Sequence, residues 1–458
     1  MSPNAPAAIR GRLLSFHDDP AVAGTVASHQ YIADGLVAMS QGRITAMGEA
    51  GALLPGLPPG ATVHHYPDDL VIAGFIDAHI HYPQTQVIAS NGAQLLDWLE
   101  TYTYVEEQKF AAPDHAARIA RFFLDELCRN GTTTAAVYCT VHAASVDAFF
   151  TESARHGMRM VAGKVLMDRN APPPLCDTAE RGFAESEALI ARWHGKGRQH
   201  YAVTPRFALT STEAQLQTAG ELLKAYPDVL LQTHLSENPR EIELVRAAFP
   251  GARDYVDVYD RFGLLGPRSL FGHCLHLTEA ERARLSESGS VAVFCPTSNL
   301  FIGSGLFDLA LARDARFPLR IGLATDVGGG TSYSMLRTAD EANKVLQLQG
   351  QSLPALQVFY MLTLGNARAL GLEDRIGTLA PGSDADVVVL DTRATPAMAH
   401  RMETVAGDLA DELFVLMTLG DDRAVRATYV AGALVPALAE TRHTPTPPLP
   451  HQGGGRRE

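Results

Sequence analysis

The chain has 458 residues, 46% of them hydrophobic and 19% charged, which is enough for a large core and ordinary for a globular protein. Its formal net charge of −13, with no Lys/Arg run, argues against a nucleic-acid partner. The five scattered cysteines contain no C-x-x-C pair, which excludes a disulfide framework and a zinc knuckle and points to a reducing compartment.

In chain order, Ala8–Phe16, Tyr31–Met39, Arg43–Met47 and Thr62–Tyr66 read as short strands, with a tight hairpin at Gln41-Gly42 and a loop over Pro55–Gly60. An apolar run from Val71 to Ile76 reads as a buried strand continuing to His79 and His81. Helical and strand patterns then alternate. Helices are expected over Pro113–Asn130, Ser145–His156, Thr178–Trp193, Thr212–Tyr226, Arg240–Phe249 and Thr278–Ser288. Strands are expected over Thr132–Tyr138, Met160–Leu166, His200–Arg206, Val229–Leu235, Ser269–His273, Val291–Cys295 and Leu319–Thr325. Eight β-α units predict a closed parallel (β/α)8 barrel of the TIM type. Two further helices (Leu336–Gln349, Ala355–Leu370) precede a return of strand character at Ala385–Asp391 and Arg423–Val435. The expected organisation is a β-sandwich built from residues 1–70 and 377–440 beside a barrel over 71–376. A disordered Pro/Gly/Arg-rich tail is expected over 441–458. Met1–Arg12 leads into no apolar signal region, and no run approaches the ~20 residues of a spanning helix. A cytoplasmic protein with no membrane partner is therefore expected.

In such a barrel, chemistry sits at the C-terminal ends of the strands. Strand one ends in His79 and His81, which share a face because they lie two residues apart. Strand four ends in Thr204-Pro205-Arg206-Phe207, strand five in His234-Leu235-Ser236-Glu237, strand six in His273 and strand eight in Asp326. Each is costly at a buried strand tip without a partner, and together they form a convergent ring. Imidazoles with a carboxylate suit Zn²⁺ or Fe²⁺, and a bound metal brings the pKa of its water to about 7. Glu237 lies close enough in sequence to shuttle a proton at that site. Cys295 reads as core, and the glycines Gly328–Gly330 lack the lysine of a P-loop and read as a close backbone approach to a ligand.

The ligand pattern His79-x-His81, His234, His273, Asp326, with Ala73-Gly74-Phe75-Ile76-Asp77-Ala78-His79-Ile80-His81 and the Pro381-Gly382-x-Asp384-Ala385-Asp386 element, resembles the amidohydrolase superfamily. More narrowly, His81-Tyr82-Pro83-Gln84, the Leu95–Thr103 stretch, Thr204–Ala208 and Thr325–Gly330 look like its guanine deaminase family. That family resemblance implies a metal-dependent hydrolysis of guanine to xanthine and ammonia. His79, His81, His234 and Asp326 would bind the metal. Asp326 and His273 would orient the hydroxide and take its proton, while Glu237 would protonate the purine ring and then the departing amine. Gln84, Arg206 and Phe207 would hold the purine, with Arg206 facing its carbonyl oxygen. Binuclear relatives carry a bridging carboxylated lysine on strand four. No lysine stands there, and Lys164 on strand three reads as structural or as a support behind the ligands, so one Zn²⁺ (or Fe²⁺) per chain is expected. The resemblance also implies a homodimer. His276, near His273, reads as a surface residue leading into a helix. The alternatives are a related deaminase acting on 8-oxoguanine, a pterin or a triazine, and a scaffold without activity. The complete ligand set argues against the scaffold, and the missing H-x-E…P-C-x-x-C signature argues against a nucleic-acid base deaminase.

Overall fold

The structure, a computed structural model, describes residues 7–436 apart from Ala93. The tail expected over 441–458 lies outside these residues. Eight parallel strands follow one another around a barrel: Phe75–His81, Thr132–Tyr138, Arg159–Leu166 with a break at Lys164, Gln199–Pro205, Leu230–Leu235, Ser269–His273, Val291–Phe294 and Arg320–Leu323. We number them as barrel strands one to eight. Strands one and eight meet through side chains and their outgoing loops. Asn366 Nδ2 donates to the carbonyls of Ile76 (2.6 Å) and Leu323 (2.7 Å), and its Oδ1 accepts from Leu323 N (2.8 Å). Asp326 N donates to His79 O at 2.9 Å, and His81 N to Val327 O at 2.8 Å.

Helices cover the barrel as the apolar periodicity predicts. Two of the connections end where a glycine takes the left-handed conformation: Gly157 after Ala143–His156 and Gly289 after Glu279–Ser288. The loop after strand five is closed by a capping box. Asn238 caps the helix Pro239–Ala248, and Glu241 accepts the N–H of Asn238 at 3.1 Å and of Glu237 at 2.9 Å. Among the described residues no helix is long and apolar enough to cross a membrane.

The chain ends meet in one seven-stranded sheet, ordered Ala433–Leu434, Val425–Val430, Val387–Leu390, Val63–Ala73, Ala8–Phe16, His29–Ser40, Arg43–Glu49. The two layers expected of a sandwich are the two ends of this sheet, which curls upon itself. Ile44 N donates to Ser383 O and Ala385 N to Gly42 O, both at 2.9 Å, tying the far edge back to the residues that lead into Val387–Leu390. Strand alternation then builds two cores. Val71, Ala73, Val387, Val389 and Tyr429 point inside the curl, while Leu70, Ile72, Val388 and Leu390 join the main core of the barrel.

Two expectations are corrected. The run Val71–His81 is not one strand: Val63–Ala73 belongs to the terminal sheet, and the barrel begins at Phe75. A Cβ at the intervening Gly74 would stand 2.3 Å from Thr133 Oγ1, so the crossing needs glycine. The C-terminal segment is also less β-rich than expected. Helices Pro396–Val405 and Leu409–Leu419 lie between its strands, and Leu413, Leu416 and Met417 are buried in the barrel core. The Asp384-Ala385-Asp386 element clamps the sheet to the bottom of the barrel. Asp384 Oδ2 accepts from Arg159 Nη2 (2.6 Å) and Arg198 Nη2 (3.0 Å), and Arg198 also pairs with Asp386.

Candidate active site

His79 and His81 leave the tip of strand one on one face and meet His234 from strand five and Asp326 after strand eight. His81 Nε2 lies 3.2 Å from His79 Nε2, 3.3 Å from His234 Nε2 and 3.3 Å from Asp326 Oδ1. His79 Nε2 is also 3.3 Å from Asp326 Oδ1. One ring N–H cannot serve three neighbours at once. Donors about 2.1 Å from a tetrahedral ion stand about 3.4 Å apart, so these spacings match the edges of a metal coordination shell. The tautomers agree. His234 Nδ1 donates to the Arg206 carbonyl at 2.7 Å, which leaves its Nε2 lone pair facing the cluster. Burial drives the His81 pKa down to about 3 and that of His234 well below its ordinary value, so both stay neutral and free to ligate. Burial alone would raise Asp326, but the facing histidines outweigh it and hold the carboxylate well below its ordinary range. The donor set of three imidazoles and a carboxylate thus fits a divalent metal.

Beside this cluster His273 and Glu237 face each other, His273 Nε2 lying 3.3 Å from Glu237 Oε2 and 3.7 Å from Asp326 Oδ2. His273 Nδ1 donates to Asn299 Oδ1 at 2.9 Å, which turns Nε2 toward the pocket. That Nε2 is buried with no hydrogen-bond partner. Ser304 Oγ donates to Glu237 Oε1 at 3.0 Å, leaving Oε2 to face His273. Burial, reinforced by the Asp326 charge, pushes the Glu237 pKa up to about 8. Backbone strain collects here: Ser236, His273, Cys274 and Asp326 have φ of 49°, 72°, 52° and 51°, the left-handed region that residues other than glycine seldom occupy. At His273 the strand itself ends in that turn, and Asp326 takes it in the loop that follows strand eight.

The pocket above these groups is lined by His81, Gln84, Arg206, Phe207, His234, Glu237, His273 and Asp326, with apolar walls from Leu95, Trp98, Leu99 and Ile302. Every site residue expected from the sequence except His79 therefore faces one cavity, and His79 stands behind it in the histidine cluster. The family model of the amidohydrolase family matches residues 70–435. The chain is an amidohydrolase. It is 47% identical to the guanine deaminase of Escherichia coli (strain K12) over 406 residues, 89% of this chain and 92% of that one. The solved structure of E. coli guanine deaminase superposes with a TM-score of 0.91 at 45% identity, covering 93% of this chain and 99% of that one. That of the Bradyrhizobium japonicum guanine deaminase superposes with a TM-score of 0.89 at 36% identity, covering 94% and 99%.

Several site features of this amidohydrolase carry little signal in the sequence. Glu107 is fully buried and grips Arg206 Nη1 with both oxygens, at 2.9 and 2.7 Å. It lies 99 positions from Arg206 in a helical run that reads as a solvated charged segment. Asn299, buried after strand seven, meets His273 only through folding. Ser304 reaches Glu237 only through folding. Asp77, inside strand one, accepts the N–H groups of His79 and Thr325, both at 3.2 Å, and buttresses the ligand strand from behind. Lys164 is structural, as expected: its ammonium is fully buried against Asp177. Cys295 is core. His276 is exposed, as expected, but also contacts the Ser304 carbonyl at 2.9 Å. The expectation for Gly328–Gly330 is corrected in part. Only Gly329 lines the pocket. A Cβ on Gly328 would lie 2.6 Å from Gln84 O and one on Gly330 1.8 Å from Thr325 O, so those two are small for the protein's own backbone.

Proposed function

We infer that this amidohydrolase is a guanine deaminase, which converts guanine and water to xanthine and ammonia. The observation that carries the reading is one pocket in which the buried Glu237 carboxyl and the His273 imidazole face each other at 3.3 Å over the histidine–aspartate cluster, in a chain 47% identical to a guanine deaminase across nearly its full length. A divalent metal held by His79, His81, His234 and Asp326 would acidify the attacking water. Glu237 Oε2 gives its proton to the purine ring nitrogen beside C2, which makes C2 electrophilic. His273 Nε2 and Asp326 take the proton lost by water as its oxygen bonds to C2. That proton passes through Glu237 to the exocyclic amine, the C2–N bond breaks and ammonia leaves, and the second proton of the water oxygen returns to Glu237 as the C2 carbonyl of xanthine forms. Arg206 donates to the purine carbonyl oxygen, Gln84 bonds the polar edge, and Phe207 forms a wall against the ring. An amino group in place of the carbonyl would leave Arg206 facing another donor.

Zinc is the metal we propose, one ion per chain, with Fe²⁺ as the other ion this donor set accepts. Lys164 supports a single ion, since its ammonium is committed to Asp177. The family resemblance supports a homodimer, which light scattering of the purified protein tests, and cell fractionation tests the cytoplasmic location expected from the sequence. For the activity, metal-replete protein is incubated with guanine while ultraviolet absorbance and ammonia are followed. Turnover to xanthine is expected. No turnover of guanine, or faster turnover of 8-oxoguanine, a pterin, a triazine or adenine in the same assay, would overturn the assignment.

A further inference from the structure

Arg206 and Gln84 do not stand in the pocket independently. Arg206 is 3% exposed and Glu107 1%, so neither charge is solvated and each depends on the other. Both oxygens of Glu107 accept from one guanidinium nitrogen, Nη1, at 2.9 and 2.7 Å. That fixes the rotation of the guanidinium and leaves Nη2 as the other terminal nitrogen, with no hydrogen bond to the described residues. The Tyr104 ring, 5.5 Å from Arg206 Cζ, supports the guanidinium from one side. Glu107 Oε1 also accepts from Gln84 Nε2 at 3.3 Å, while Gln84 Oε1 accepts the Gly328 N–H at 3.2 Å. The two ends of the carboxamide thus have unlike neighbours: a carboxylate demands the NH₂ end and a backbone N–H demands the oxygen. The amide has one orientation. One Nε2–H and one Oε1 lone pair remain for a ligand. A single buried carboxylate therefore sets the donor and acceptor pattern of both side chains that read the substrate.

We propose that Glu107 is the positioning residue for purine recognition, holding Arg206 as a pure donor toward the ring carbonyl and locking the Gln84 carboxamide in its donor–acceptor order. This rests on the guanine reading of the pocket and extends it to what rejects the wrong purine. Among the described residues Glu107 makes no hydrogen bond or ion pair with Glu237, His273 or the histidine–aspartate cluster, so its removal acts on binding and selectivity before it acts on the chemical step. In Glu107→Gln the neutral amide keeps one acceptor oxygen and turns its NH₂ toward Arg206, so the guanidinium loses its carboxylate and the one remaining oxygen must serve both Arg206 and Gln84.

The test compares wild type, Glu107→Gln and Glu107→Asp with guanine and with 2,6-diaminopurine, which keeps the C2 amine and replaces the carbonyl by an amine. Metal content and melting temperature are measured alongside. In Glu107→Gln the KM for guanine should rise about 10- to 100-fold, the cost of disrupting charged hydrogen bonds, with kcat within threefold. The preference for guanine over 2,6-diaminopurine should shrink at least tenfold. Glu107→Asp keeps the charge but cannot span both partners, and should give an intermediate KM with a near-native melting temperature. It carries the test if Glu107→Gln fails to fold. Wild-type KM and selectivity in Glu107→Asp, or in a folded Glu107→Gln, would overturn the proposal. Absence of turnover by wild type would instead overturn the guanine reading. A crystal structure of Glu107→Asp gives a readout that needs no substrate: Arg206 and Gln84 should be displaced, and unmoved side chains would overturn the proposal.

Discussion

Replacing Glu237 by Gln tests the acid–base assignment with the least change of shape. The carboxyl is 2% exposed, accepts from Ser304 Oγ at 3.0 Å and faces His273 Nε2 at 3.3 Å. Glutamine can keep both contacts, its Oε1 accepting from Ser304 and its Nε2–H reaching the His273 lone pair, but it cannot pass a proton to the ring. Positioned acid–base groups contribute about 10²–10⁴-fold. Because the same carboxyl serves the ring and the leaving amine, kcat should fall by about 10³-fold or more, while metal content stays at the wild-type level. The pH profile adds a second readout. With a pKa of about 8 before any metal binds, the acid form dominates at neutral pH and is lost above that value. A cation in the adjacent cluster favours the carboxylate and moves the loss to lower pH. The kcat/KM of wild type should therefore fall on the alkaline side at or below about pH 8, and the residual activity of Glu237→Gln should lack that limb. The same sign governs stability. A carboxyl raised from 4.5 to about 8 on folding favours the native state most below pH 4.5 and loses that contribution as the pH climbs through the folded value, so the metal-free protein should melt lower as pH rises across this window. The assay is ultraviolet absorbance of guanine from pH 5.5 to 9.5, with metal quantified by mass spectrometry. A kcat within tenfold of wild type, or an alkaline limb that survives in the variant, would refute the role of Glu237.

Asn299→Ala removes the acceptor that holds the His273 ring, and kcat should fall about 10- to 100-fold with the metal retained; unchanged kcat would remove Asn299 from the positioning of His273. Gly272→Ala places a Cβ 2.7 Å from His79 Cε1. The ring must shift, and metal affinity measured by competition with a chelator should drop, whereas unaltered affinity would contradict the packing. Asp384→Asn leaves the buried Arg159 without its full counter-charge at the bottom of the barrel. It should cost about 3–5 kcal/mol of stability, read as a lower denaturation midpoint, with little change in kcat because the clamp lies at the end opposite the pocket.

The sequence by itself determined the parts of this protein that are local or periodic. Alternating β-α patterns specified the strands and their order, because strand and helix periods follow from the backbone. His79-x-His81, His234, His273 and Asp326 were legible because a polar residue at the end of a buried apolar run needs a partner, and barrel topology brings strand ends together. Glu237 followed from its place three residues after His234. Tertiary structure alone decided what depends on distant residues meeting. Glu107 looks like one more charge in an acidic helical stretch until Arg206, 99 positions away, is seen between its two oxygens. The break at Gly74 is invisible in a continuous apolar run, since both strands are buried and only the Thr133 side chain beside it requires the missing Cβ. Helices Pro396–Val405 and Leu409–Leu419 lie where flanking strand character dominates the pattern. The pKa of Glu237 also belongs to the fold: a glutamate in water titrates near 4.3, and only enclosure beside Asp326 pushes it up to about 8. Residue types and spacing thus named the chemistry, while burial and long-range pairing set the protonation states and donor directions that make it specific.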